Sequence, residues 1–295
     1  MKDYIGKTKV FFFSAVALTL LCVILFTVSM FTAFDADPGY FKSTALLPYV
    51  QKALVIVSAV IFAIMALLIP KNTLPSKDPS NVIFTTFASL ACGFLIIVGT
   101  ILFYMTYRHD AEWMQQTIKY IFLAICITGF ASAAYFIIGA LKSSGEWIGL
   151  KTACAVFVIV NLLLMIIFEH LDYFVPINSV RKVLLFISFA VSIMFIAQDL
   201  RFMAGLGQPR AYLFFGAVSM LLCSILSIPQ IIAHYAGVLR DSSFLIYYLI
   251  GIGLSLYTFA RLLAYVKYAD FVANHGDLEV KECEATEITT NNEEV

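Results

Sequence analysis

The chain has 295 residues, of which 61% are hydrophobic and 13% charged, and its 19 basic and 19 acidic residues leave a net charge of zero. A soluble domain is roughly 45–50% apolar and about 25% charged, and a soluble fold of this size leaves about a quarter of its unfolded surface in water. This composition excludes a soluble globular protein, carries no electrostatic footprint for nucleic acid, and points to a chain whose partner and solvent is the lipid bilayer.

A spanning helix needs about 17–25 mostly apolar residues, and the first such run covers residues 10–33. Lys2, Lys7 and Lys9 precede it, as in a signal peptide. The run is nevertheless too long for a signal core, and Thr32-Ala33-Phe34 is a poor cleavage site, so a retained span is expected. A polar interruption follows, from Thr32 to Phe41. Within it Asp37-Pro38-Gly39-Tyr40 has the chemistry of a type II turn, with proline presetting φ and glycine accepting a positive φ. Asp35 and Asp37 resemble the start of a calcium loop, but Pro38 follows and no acidic ligand comes later in the loop. A turn is the better reading.

Runs two and three cover residues 46–69 and 81–106, and a loop with Arg108, His109, Asp110 and Glu112 follows. The fourth, 118–141, carries Gly129 and Ala133 at the four-residue spacing that lets helices approach closely. Asn161 is deep in the fifth, 151–168, and Glu169, His170 and Asp172 come after it. The sixth covers 182–198 and leaves Asp199 and Arg201 at its end, where an interfacial position is expected. In the seventh, 211–234, Pro229 removes a helical hydrogen bond beside Gln230, which makes either a broken helix lining a pathway or an ordinary kink. His234 closes that run. The eighth, 244–266, has Gly251 and Ser255 at the close-packing spacing. Arg261 lies about a turn and a half from its end, either snorkelling to the interface or pairing with an internal carboxylate. The acidic, unpatterned segment 269–295 is expected to be disordered.

All eight runs are apolar on every side, which a membrane strand is not. The expected fold is therefore an all-α bundle of eight transmembrane helices over residues 1–268. Val50, Lys52, Leu54 and Ser58 echo Val180, Lys182, Leu184 and Ser188, suggesting two parallel four-helix repeats, 1–142 and 143–268. Twelve of the 19 Lys and Arg fall on one side if the N-terminus is cytoplasmic, so the positive-inside rule puts both termini there; the plasma membrane is the expected location.

The other side then gathers Asp35, Asp37, His109, Asp110, Glu169, His170, Asp172 and His234. Carboxylates and imidazoles at one mouth suit a cation or a proton relay, since histidine titrates near neutral pH. Asn161, Pro229, Gln230 and Arg261 are the candidates for a pathway beneath it. No paired-histidine motif, phosphate loop, dinucleotide fingerprint or nucleophile elbow occurs, so no resident metal or cofactor is expected. Five cysteines lie in apolar runs and Cys283 in the tail, with no C-x-x-C pair, so they read as packing residues. The leading expectation is a permease or ion-coupled carrier for a small solute or cation. The alternatives are a non-catalytic scaffold or sensor and, third, a metal-dependent enzyme built on His109, His170 and His234. Oligomeric state is not legible in the chain.

Overall fold

The computed structural model describes residues 2–35, 40–42, 45–69, 83–108, 115–141, 148–171, 179–239 and 244–292, with the side chains of 2–5, Tyr40, Ile148 and 271–292 left out of the description. Its helices are α1 (Lys2–Thr32), α2 (Leu47–Leu68), α3 (Ile83–Tyr107), α4 (Gln116–Leu141), α5 (Ile148–Leu171), α6 (Val180–Met203), α7 (Pro209–Tyr235) and α8 (Leu245–Asn292). A helix closes its backbone hydrogen bonds internally, which is what an apolar medium demands of every spanning segment. Eight of the helical segments are long and apolar enough to cross a membrane, and they coincide with the eight expected runs to within a few residues at most ends.

The first interruption folds as a small hairpin, with β1 (Phe34–Asp35) antiparallel to β2 (Tyr40–Phe41). Phe34 pairs with Phe41, and the Lys42 amide donates to the Ala33 carbonyl at 2.8 Å. The flanks of the expected turn therefore pair, while Asp37, Pro38 and Gly39 lie outside the described residues.

Local chemistry sets several helix ends. Pro48 and Pro209 stand in the first turns of α2 and α7, where a missing amide costs nothing. Ser179 caps α6 by accepting from the Lys182 amide at 3.3 Å. α6 and α7 both finish on a glycine at positive φ, Gly205 at 71° and Gly237 at 76°. In each, an amide beyond the glycine returns to the last turn, Leu206 to Arg201 and Val238 to Ala233, the pattern of a Schellman stop. α8 does not stop with its apolar part, Leu245–Asp270. Its backbone continues helical to Asn292, where composition led us to expect an unstructured tail. Adding a turn to an existing helix avoids the nucleation cost.

The bundle is organised around α7, which packs on α1, α2, α6 and α8. Of its apolar window 78% is buried, against 22% for α2 at the periphery. α3 lies between α4 and α8, and α5 joins α4 to α6. Large apolar side chains such as Phe13, Phe87, Phe94 and Ile127 point outward and are well over half exposed, as side chains facing lipid are. The two echoed lysines have unlike surroundings: Lys52 is exposed and Lys182 fully buried.

Many hydroxyls inside the bundle are tied down locally or across helices. Thr100, Thr128, Ser132, Ser192 and Thr258 each donate to the carbonyl four residues back, the usual refuge of a hydroxyl in an apolar helix. Ser192 meets Ser219 at 2.9 Å and Ser224 meets Ser255 at 2.6 Å, which links α6 to α7 and α7 to α8. Ser227 stands against Gly251, so the small-residue spacing on α8 serves close packing on α7. Gly129 does the same on α4, with the Thr100 side chain of α3 in the space its missing Cβ leaves.

Candidate functional site

The charged centre of the molecule is Asp199 on α6. It sits on the inward face of that helix, in register with Leu185, Ser188, Ser192, Phe195 and Phe202, positions three and four apart that share one side. α6 continues to Met203, a turn beyond the expected run. Asp199 is thus inside the bundle and fully buried, not interfacial as its sequence position suggested, whereas Arg201 is exposed.

Arg261 on α8 does not snorkel. Its side chain is 7% exposed, and Nη2 and Nε donate to Oδ1 of Asp199 at 2.6 and 2.9 Å. Both donors meet the same oxygen, and Tyr212 of α7 adds a third at 3.3 Å. The other oxygen, Oδ2, accepts from Tyr257 at 2.6 Å and from Tyr135 at 2.8 Å. The two phenol oxygens are 3.2 Å apart. Each phenol has one proton to give, so with both committed to the carboxylate the pair converges on it without bonding to each other. Four helices, α4, α6, α7 and α8, therefore close on one carboxylate. Burying a charge is tolerable only when it is paired and its lone pairs are used, and this site meets both conditions.

Beside the network lies a partly open cavity of about 10 Å³, close to the minimum for one water. It is lined by Thr85 and Ser89 of α3, Tyr135, Phe136 and Gly139 of α4, Lys151 of α5, and Tyr257 and Arg261 of α8. Gly139 makes room for Lys151: a Cβ there would stand 3.1 Å from Cε and 3.3 Å from Nζ, so the ammonium would have to shift by a few tenths of an ångström. The Lys151 ammonium also lies 5.9 Å from the centre of the Tyr135 ring. The lining comes from the beginnings of α3 and α5, the end of α4 and the later part of the α8 span, so the site occupies one end of the bundle rather than its middle.

Among the described residues, the expected candidates are spread through the fold rather than assembled. Arg261 belongs to the network. Asn161 is buried and donates from Nδ2 to the Ile125 carbonyl and to Thr128 Oγ1, each at 3.0 Å, which ties α5 to α4. Pro229 lies inside α7 without ending it. Gln230 is fully buried, and neither end of its amide finds a hydrogen-bonding partner among the described residues.

Of the expected outer mouth, Glu169 is buried against Lys182, whose Nζ is 3.8 Å from Oε1 and donates to the Glu169 carbonyl at 2.9 Å. Nearby, the Arg181 guanidinium lies over the Phe244 ring at 4.5 Å. Asp35 belongs to the hairpin, His170 is exposed beside Phe186, and His234 is half-buried against Tyr235. Asp37, His109, Asp110 and Asp172 lie outside the described residues. Among the described residues no three metal-ligating side chains come together.

Sequence reasoning passed over Tyr135, Lys151, Tyr212 and Tyr257 as site residues, and placed Asp199 at the interface. The available signals were the shared face of Ser188, Ser192 and Asp199, and the one-turn spacing of Tyr257 and Arg261. What sequence and fold define together is a class, the multi-pass integral membrane protein, here an all-α bundle of eight spans. Set against known family models, characterised proteins and solved structures, the chain matches none.

Proposed function

We propose that the protein is a carrier for a small solute, in the plasma membrane with both termini cytoplasmic, and that the cavity beside Asp199 and Arg261 is its cytoplasmic-side solute site. The observation that carries this reading is the buried, tyrosine-bound ion pair with a polar cavity against it. Charges within a membrane are costly and are kept where they serve a pathway or a ligand.

The mechanism follows from two features. Tyr135 and Tyr257 line the cavity and also hold the carboxylate, so a solute that draws on either hydroxyl loosens the tie between α4, α6 and α8. α7, the central helix, has lost one backbone hydrogen bond at Pro229, and the Gln230 amide next to it lacks a described partner in this closed arrangement. An unsatisfied buried amide costs roughly 1–3 kcal/mol, so a second arrangement that satisfies it is energetically within reach. We expect Gln230→Leu to raise the melting temperature while lowering flux at least severalfold. A variant that melts lower and transports normally would remove Gln230 from the mechanism.

The direct test is flux into liposomes containing the purified protein, across neutral, cationic and anionic small solutes. Uptake above empty liposomes, reduced by Tyr135→Phe without loss of the folded state, is the expected result. Folded protein that moves none of them overturns the reading. The small cavity and the dense packing around α7 favour a second reading, a membrane sensor that binds the same ligand without moving it. Binding without flux would select that one.

A further inference from the structure

We infer that the cavity beside Arg261 is an anion site, taking a halide or one oxygen of a small carboxylate or phosphate. This rests on the carrier reading for its biological role, but not for its chemistry. Two of the lining side chains, Lys151 and Arg261, are cations that offer only N–H donors. Thr85 and Ser89 add hydroxyls, the Tyr135 and Tyr257 phenols already give their protons to Asp199, and no carboxylate belongs to the described lining. A cation needs a shell of acceptor oxygens, so this lining is wrong for one. Asp199 stands behind Arg261 and has its oxygens occupied by the guanidinium and the tyrosines.

Ser89 gives a second, independent pointer. The residue is 5% exposed, it lines the cavity, and its hydroxyl bonds to no described residue. Size narrows the ligand class, since about 10 Å³ admits little more than one water-sized centre. A halide meets that limit, and so does a single oxygen entering from the open side. Lys151 is the adjustable element, because its ammonium sits over Gly139 where a larger residue would displace it. This site lies at the opposite end of the bundle from the mouth where the sequence suggested a cation.

The test uses full-length protein in phosphatidylcholine nanodiscs and gluconate buffer, titrated separately with chloride, formate and inorganic phosphate while the melting temperature is followed. A ligand that binds only the folded state raises that temperature with concentration. We expect a saturable rise with chloride or formate. Lys151→Gln should weaken the apparent affinity roughly 30-fold or more, as loss of a buried charged contact does, and Gly139→Ala should weaken it less. A parallel set in nanodiscs containing phosphatidylglycerol separates the sources: stabilisation by that lipid alone, lost in Lys151→Gln, assigns the same anion chemistry to a headgroup and rules out a free solute. No response to any anion, or an equal response in wild type and Lys151→Gln, overturns the inference. Anion binding without flux leaves the site standing and removes the carrier. Flux indifferent to these anions and to Lys151 does the reverse.

Discussion

Arg261→Met should destabilise the folded protein by about 3–5 kcal/mol, the usual cost of removing one partner from a buried ion pair. The reason is what stays behind. Asp199 is fully buried, and the loss of Nε and Nη2 leaves Oδ1 with only the 3.3 Å contact from Tyr212. Asp199→Asn should also be costly, because it leaves the guanidinium charged and without its carboxylate. The double variant removes both charges while the Asn oxygen still accepts from the tyrosines. It should therefore recover most of the loss. Denaturant or thermal unfolding of the four proteins in one detergent gives the coupling energy directly. Costs that simply add would show that the pair contributes nothing as a pair.

Gly251→Leu should cost about 1–3 kcal/mol or more, the range for overpacking a close interface. A Cβ at 251 already meets the Ser227 hydroxyl, with the Cys223 carbonyl 3.6 Å away, so further atoms have no room without moving α8 off α7. Those two helices share one of the most extensive contacts in the bundle, and the Ser224–Ser255 contact depends on the same approach. The milder Gly251→Ala separates backbone clash from side-chain clash. It should be clearly destabilising alone and nearly neutral in a Ser227→Gly background, because the conflicting atom is then gone. An equal cost in both backgrounds would mean that Ser227 is not what limits the approach.

Both results concern contacts between helices, and there the sequence was least informative. Arg261 stood out because a charge in an apolar run is conspicuous, but its partner was legible only as a residue just past the end of another run. The two are 62 residues apart in the chain, and nothing in the periodicity of α6 or α8 says that these helices meet. Glu169 illustrates the opposite failure. A carboxylate beside a histidine at the end of a span reads as a wet loop, yet it is buried against Lys182, itself in what reads as a span head. The Gly251–Ser255 spacing was easier, since small residues at that spacing inside a span have few roles other than helix contact.

The amino-acid sequence alone determined the medium, the number of spans and their approximate limits. Those follow from transfer free energy summed over some twenty neighbouring residues, a local property of the chain. Only the tertiary structure decided which charge faces which, that four helices share one carboxylate, and that a cavity with two cations lies beside it. In hydrocarbon every apolar face is an acceptable partner for every other, so helix choice is set by the fit of small residues and by the few polar groups that must find each other. That fit depends on the shapes of several helices at once and is carried by no single stretch of the chain.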